Sequence, residues 1–299
     1  MSAGKAIRNG FSLARRSQSA VWILFLANLG LAALAALPIY RGLLGFAGHS
    51  LVSQTLLYGF SPDWLTDFSF NSVGSLERYA QVIAMIGLVA VPVNTILAGG
   101  VLGRLQRGFD QPYPLGNFFR DVNRYAGRLL RLMIIALICY WIVFRLFNQA
   151  LGGLVNDWLR DSTDDRPVFW ARLGVSALLI IGLSLVNLVV DFARVKLVME
   201  GGTSAAVAFL GALGFSLGRL GRALTVYAVP SLCGLAILLV YRAVLPWNLV
   251  NSPLAEAGRY REPLTLALLF LAQQLVMLGR YWFRVSTWAS EWSLYSGTR

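Results

Sequence analysis

Few residues in this chain combine the types and spacings that do chemistry. Asp191 and Arg194 stand three apart, so on a helix their carboxylate and guanidinium share a face. Facing other helices, the pair would be a polar latch or part of a substrate site. At a membrane boundary it would be an interfacial ion pair that fixes helix depth. Four uncharged polar side chains, Asn94, Ser231, Gln273 and Gln274, interrupt otherwise apolar runs. Asn94 follows Pro92, and Ser231 follows Pro230. A proline inside a helix removes a backbone hydrogen bond and bends it. Bent helices free backbone groups, so these side chains could converge on a polar substrate site near mid-membrane. The same amides serve equally well as bonds between neighbouring helices.

Catalytic patterns are missing. The chain has no Gly-x-Ser-x-Gly elbow, no phosphate-binding glycine loop ahead of Lys-Ser/Thr and no His-Glu-x-x-His. Its one histidine, His49, has no second metal ligand nearby in sequence. Asp157, Asp161, Asp164 and Asp165 do not fit the alternating ligands, glycine and terminal Glu of an EF-hand loop. Cys139 and Cys233 lie in apolar runs without paired spacing, as small buried residues would. No catalytic residue, cofactor or metal site is expected, and the chain reads as a non-enzyme.

Composition names the scaffold that must carry these groups. Of 299 residues, 57% are apolar and only 13% charged, against about 25% charged in soluble domains. Uncharged apolar runs of roughly 18 or more residues mark membrane-spanning helices. Long apolar runs with at most one charge occur at about 20–40, 79–102, 132–151, 173–190, 223–241 and 263–283. The expectation is an all-α polytopic membrane helix bundle, with six transmembrane helices in one domain, 1–299. The first run exceeds the apolar core of a signal peptide, about 7–15 residues, and reads as a retained helix. Arg145 is the one formal charge well inside a span, near an end where it can snorkel.

Between the spans lie segments suited to the membrane surface. Residues 4–18, 49–58 and 117–131 mix aromatics or leucines with polar and basic positions. The stretch after Asp191 turns at Gly201-Gly202 and continues as an uncharged segment, 203–218. That segment is shorter than the ~20 residues a span needs. Gly211, Gly214, Gly218 and Gly221 share one helical face, and Leu210, Leu213, Leu217 and Leu220 the adjacent one. The reading is a cytoplasmic amphipathic elbow helix that packs by its glycines and turns its leucines to lipid. Phe11-Ser-Leu-Ala-Arg15 before the first span resembles Phe215-Ser-Leu-Gly-Arg219 before the fifth, with Phe119-Arg-Asp-Val-Asn-Arg124 a looser match before the third. The pattern suggests three units, each an elbow followed by a hairpin of spans.

Charge sets the orientation. With six spans, 17 of the 26 Lys and Arg fall on the side that holds both termini. By the positive-inside rule that side is cytoplasmic. The net charge of +12 flanks apolar runs and forms no hydrophilic domain. It therefore points to the lipid bilayer and its anionic headgroups as partners, and not to nucleic acid.

Several phrases resemble a family of bacterial six-span inner-membrane proteins. They are Gly48-His-Ser-Leu with Gly59-Phe-Ser-Pro-Asp-Trp64, Leu97-Ala-Gly-Gly100, Phe118-Phe-Arg-Asp-Val-Asn-Arg-Tyr125, and Asp191-Phe-Ala-Arg-Val. In the last, Phe192 stands where the family's Asp-Tyr-Ala-Arg pattern has tyrosine. The resemblance implies a multi-pass protein of the bacterial inner membrane and brings no activity with it. The expected function is a scaffold or accessory subunit of a membrane protein complex, with a membrane-protein partner or a homo-oligomer. The alternative is a transporter or lipid-handling protein that uses the mid-membrane polar site.

Overall fold

The computed structural model describes residues 1–47, 66, 70, 75–109, 113–160, 165–250 and 263–298. The expected 49–58 helix, His49, the Ser-Pro-Asp-Trp turn, Asp161 and Asp164 lie outside them. The described residues fold as helices: α1 (Ala3–Arg16), α2 (Gln18–Ala47), α3 (Ser75–Arg107), α4 (Leu115–Phe144), a π-helical segment (Arg145–Leu151), α5 (Gly152–Trp158), α6 (Asp165–Glu200), α7 (Ala205–Gly218), α8 (Leu220–Val250) and α9 (Pro263–Ser296). Among the described residues, five helical stretches are long and apolar enough to cross a membrane: Gln18–Gly42, Glu77–Arg107, Leu115–Trp158, Arg166–Glu200 and Leu220–Ala243. The expected sixth span, 263–283, falls within α9, which is not among those five. In the most apolar window of each of the five, only 17–22% of residues are buried.

Helix breaks follow from local chemistry. Gly108 at φ +78° follows the end of α3, and Gly201 at φ +61° follows the end of α6. Both occupy the left-handed conformation that glycine adopts at little cost beyond a helix C-terminus. Arg128 donates to the Gly201 carbonyl. Ser204 then caps α7 by accepting from the Val207 amide at 3.3 Å. The run from α4 through the π-helical segment into α5 is unbroken, and Arg145 opens the π turn with its guanidinium 5.3 Å from the Trp141 ring centre.

The chain packs as two compact units. The first comprises Met1–Arg16, Thr95–Val229 and Ser286–Arg299. Its core includes Ala98 and Leu102 of α3, Phe118 and Tyr125 of α4, Val190 and Phe192 of α6, and Ala289 and Leu294 of α9. The sequence marks the C-terminal tail as an aromatic segment for the membrane interface, yet the end of α9 is interior. Ser286, Thr287, Ser290 and Glu291 are buried with Trp288. Small serines and alanine on this segment let other helices come close. A Cβ on Gly10 of α1 would lie 2.6 Å from the Ser290 amide nitrogen, so only glycine fits.

Helix α7 also packs in this unit, but not by its glycine stripe. Its buried residues are Ala205, Ala208, Ala212 and Ser216. A Cβ on Gly214, Gly218 or Gly221 would meet nothing, and one on Gly211 would meet only the flexible end of Lys196. Alanine and serine are small enough for close approach and cost less helix stability than glycine. Leu210 and Leu217 are exposed, as expected.

A repeat is visible in burial. Helices α1 and α7 each span 14 residues, and a single residue separates each from the long helix that follows. Buried Ala6, Gly10 and Ala14 correspond to Ala208, Ala212 and Ser216, then Val21 and Leu24 to Ala223 and Val226. This register is constant, set by Ala3 against Ala205. It differs by two residues from that of the shared Phe-Ser-Leu phrase, and two residues turn a helix by about 200°. The phrase therefore points different ways in the two helices: Phe215 lies between Phe192 and Tyr295, at 5.3 and 5.0 Å between ring centres. The third expected elbow, before the third span, is simply the first half of the unbroken α4.

The second unit comprises Ser17–Asn94 and Pro230–Val285. Here aromatic and glycine contacts join helices. Phe25 and Tyr281 meet edge to face at 6.5 Å, and a Cβ on Gly234 would sit 3.4 Å from that of Phe283. Leu34, Leu88 and Leu275 are well exposed.

Candidate functional site

The polar side chains of the second unit are built around Asn94. It lies on α3 two residues after Pro92, and its amide faces Asn28 of α2. The two exchange reciprocal hydrogen bonds of 2.7 and 2.8 Å. Each amide nitrogen also donates to the carbonyl four residues back, Leu24 for Asn28 and Ala90 for Asn94, both at 2.8 Å. Both amide oxygens and both nitrogens are thereby engaged. Among the described residues no hydrogen bond joins Asn94 to Ser231, Gln273 or Gln274. Ser231 and Gln274 are half-buried and Gln273 is exposed. Asn28 is the one polar interruption of the apolar run 20–37. One amide deep inside each of two successive apolar runs, Asn28 and Asn94, was the available signal.

The first unit holds the charged groups. Asp191 is fully buried, and its Oδ1 accepts from Arg194 at 2.8 Å and from the Trp288 indole at 3.2 Å. Arg194 is one turn further along α6, and Trp288 comes from α9. The ion pair is therefore part of a link between helices. One turn beyond Trp288, Glu291 is fully buried as well. Further along both helices, Tyr295 donates to Glu200 at 3.0 Å. Taking a carboxylate out of water costs several kcal/mol unless charge-assisted hydrogen bonds compensate it; at Asp191 the Arg194 and Trp288 donors both serve Oδ1, while Glu200 keeps partial contact with solvent. From sequence Trp288 reads, with Trp282 and Trp292, as an aromatic of the membrane interface, and nothing in its spacing marks Glu291; both are buried instead.

A second carboxylate ties α3 to α4. Asp121, on the arginine-rich half of α4 that precedes the apolar run from Leu132, is nearly fully buried. It accepts from Arg107 in a bidentate fork at 2.6 and 2.8 Å and from Tyr113 at 2.8 Å. A fork of this kind is among the stronger polar contacts proteins make. Burial by itself pushes the Asp121 carboxyl up, but the hydrogen bonds from Arg107 and Tyr113 outweigh it and hold the group below its ordinary value. Burial, reinforced by the bond to Asp121, raises the Tyr113 phenol. Arg104 stacks over Phe109 and Tyr113, at 4.6 and 4.9 Å from the ring centres. Higher in the same unit, Asn187 of α6 accepts from Tyr140 of α4 at 3.1 Å and donates to Tyr227 of α8 at 2.6 Å.

Each arrangement joins one helix to another through hydrogen bonds to a half-buried amide or a buried carboxylate. A groove of about 430 Å³ is lined by Val168, Phe169, Arg172, Leu173 and Ser176, all of α6. Among the described residues, no group of three or more His, Cys, Asp or Glu is placed to hold a metal ion. Compared with protein-family models, with curated proteins and with solved structures, the chain matches none.

Proposed function

We propose that this chain is a non-enzymatic integral protein of the bacterial inner membrane, a scaffold or accessory subunit of a membrane protein complex. In this reading it has six spans, with 263–283 as the last. Both termini are cytoplasmic, and α1 and α7 lie as elbow helices at the inner surface. The observation that carries the proposal is the Asn28–Asn94 pair. The mid-membrane amide best placed to meet a substrate is instead closed on a neighbouring helix. Asp191, Asp121 and Asn187 are likewise used between helices. The apolar helices meanwhile keep large side chains outward, with Ile138, Trp141 and Ile142 of α4 all about half exposed or more. Such a surface fits acyl chains and the flank of another membrane protein.

The test is photo-crosslinking in cells, with a photoreactive amino acid placed in turn at exposed apolar positions of α2, α4 and α8. The subunit reading expects a cluster of adjacent positions that captures a protein. Capture of lipid alone at every position would overturn it. Capture of a polar solute from Asn94, Ser231 or Gln273 would favour the transporter or lipid-handling alternative.

A further inference from the structure

The register shared by α1 and α7 allows their outward faces to be compared position by position. Lys5 of α1 corresponds to Val207 of α7, Arg8 to Leu210 and Arg15 to Leu217. All six side chains are exposed. Two helices with equivalent small-residue packing faces thus present opposite chemistry: α1 a basic stripe, α7 an apolar one.

We propose that α7 is an in-plane membrane anchor, whose Val207–Leu210–Leu217 stripe is inserted among the acyl chains of the bilayer edge, while α1 stays at the level of anionic headgroups. Fourteen residues at 1.5 Å each make a helix of about 21 Å, too short to cross a hydrocarbon core of about 30 Å. One face of α7 is taken up by packing against other helices, so its exposed apolar side chains meet acyl chains with the helix lying along the bilayer edge and not across it. Three features assign the stripe to lipid. It runs without a charge from Ser204 to Gly218. It continues directly into exposed Leu220 and Leu224, which open a helix apolar enough to cross the membrane. And exposed Arg219 and Arg222 lie beside it, placed for phosphate headgroups, with Arg219 held 5.0 Å from the Phe215 ring centre. On α1 the equivalent positions carry cations that anionic lipid attracts and hydrocarbon rejects.

The inference rests on the reading of the chain as a membrane protein, and one experiment separates the two. Single cysteines are introduced as Leu210→Cys, Leu217→Cys, Arg8→Cys, Arg15→Cys and, on the apolar run of α4, Ile138→Cys, each with Cys139→Ser and Cys233→Ser. The full chain is labelled with the fluorophore NBD and reconstituted in phosphatidylcholine–phosphatidylglycerol vesicles. Quenching is read with acyl-chain nitroxide lipids and with iodide on both sides of the bilayer. The expected result is several-fold stronger nitroxide quenching at 210, 217 and 138 than at 8 and 15, with iodide in the reverse order. Iodide quenching at 210 and 217 equal to that at 8 would overturn the inference. So would protection of 210 and 217 from both quenchers, which means a protein covers the stripe. Loss of nitroxide quenching at 138 as well would overturn the membrane reading itself.

Discussion

At the scale of single residues, the polar groups divide by whether a neighbour completes them. Asn28 and Asn94 complete each other. Hydrogen bonds between membrane helices average about 0.6 kcal/mol and reach about 1.7. Asn94→Ala is therefore expected to lower stability by about 1 kcal/mol, and Asn28→Ala to cost little more once Asn94 is gone. A double-mutant cycle of unfolding measurements in a bilayer checks this; strict additivity would deny the pair. Asp191 is a harsher case, since it is fully buried with Arg194 beside it. Arg194→Leu strands a charge and should cost about 3–5 kcal/mol, read as the loss of folded protein in the same assay. Asp121 gives a pH signature. Its carboxyl is held below the ordinary value in the folded protein, so its contribution is complete above about pH 4, the unfolded value. It is lost as pH falls through the lower folded value. The melting temperature of wild-type protein should fall more steeply below pH 4 than that of Asp121→Asn, which starts lower at pH 7.

At the scale of elements, glycines separate contacts from open surface. On α1, Gly10 lies against Ser290 backbone, whereas a Cβ on Gly4 would touch nothing. Gly10→Ala must shift α1 or α9 and should destabilise, while Gly4→Ala should be neutral or stabilising by up to about 1 kcal/mol from helix propensity. Thermal melts of the two variants in one detergent check the contrast. Five of the six expected apolar runs fall in helices long and apolar enough to span, and these were legible in the sequence because length and lack of charge alone mark such a helix. Packing faces were less so. On α7 both the glycine stripe and the alanine–serine stripe recur every three or four residues, and only a neighbour decides which is inside. The end of α9 was unreadable for the same reason: serines, alanine and tryptophans describe a wet interface as well as a crowded core. Asp191 with Arg194 was legible from spacing, but its third partner, Trp288, lies 97 residues away.

At the scale of the whole molecule, burial and chemistry are unevenly distributed. The buried charged and polar residues concentrate in the unit that holds Asp121, Asp191 and Glu291, while no more than 22% of the most apolar window of each candidate span is buried. An internal polar framework with an outward apolar surface suits a protein that is held in place and holds others. The most direct measurement is the mass of the particle extracted from its native membrane in polymer-bounded lipid discs without detergent. The account predicts particles that contain a stoichiometric second membrane protein or a second copy of this 32.8 kDa chain. Discs that hold one copy of the chain and lipid alone would contradict it.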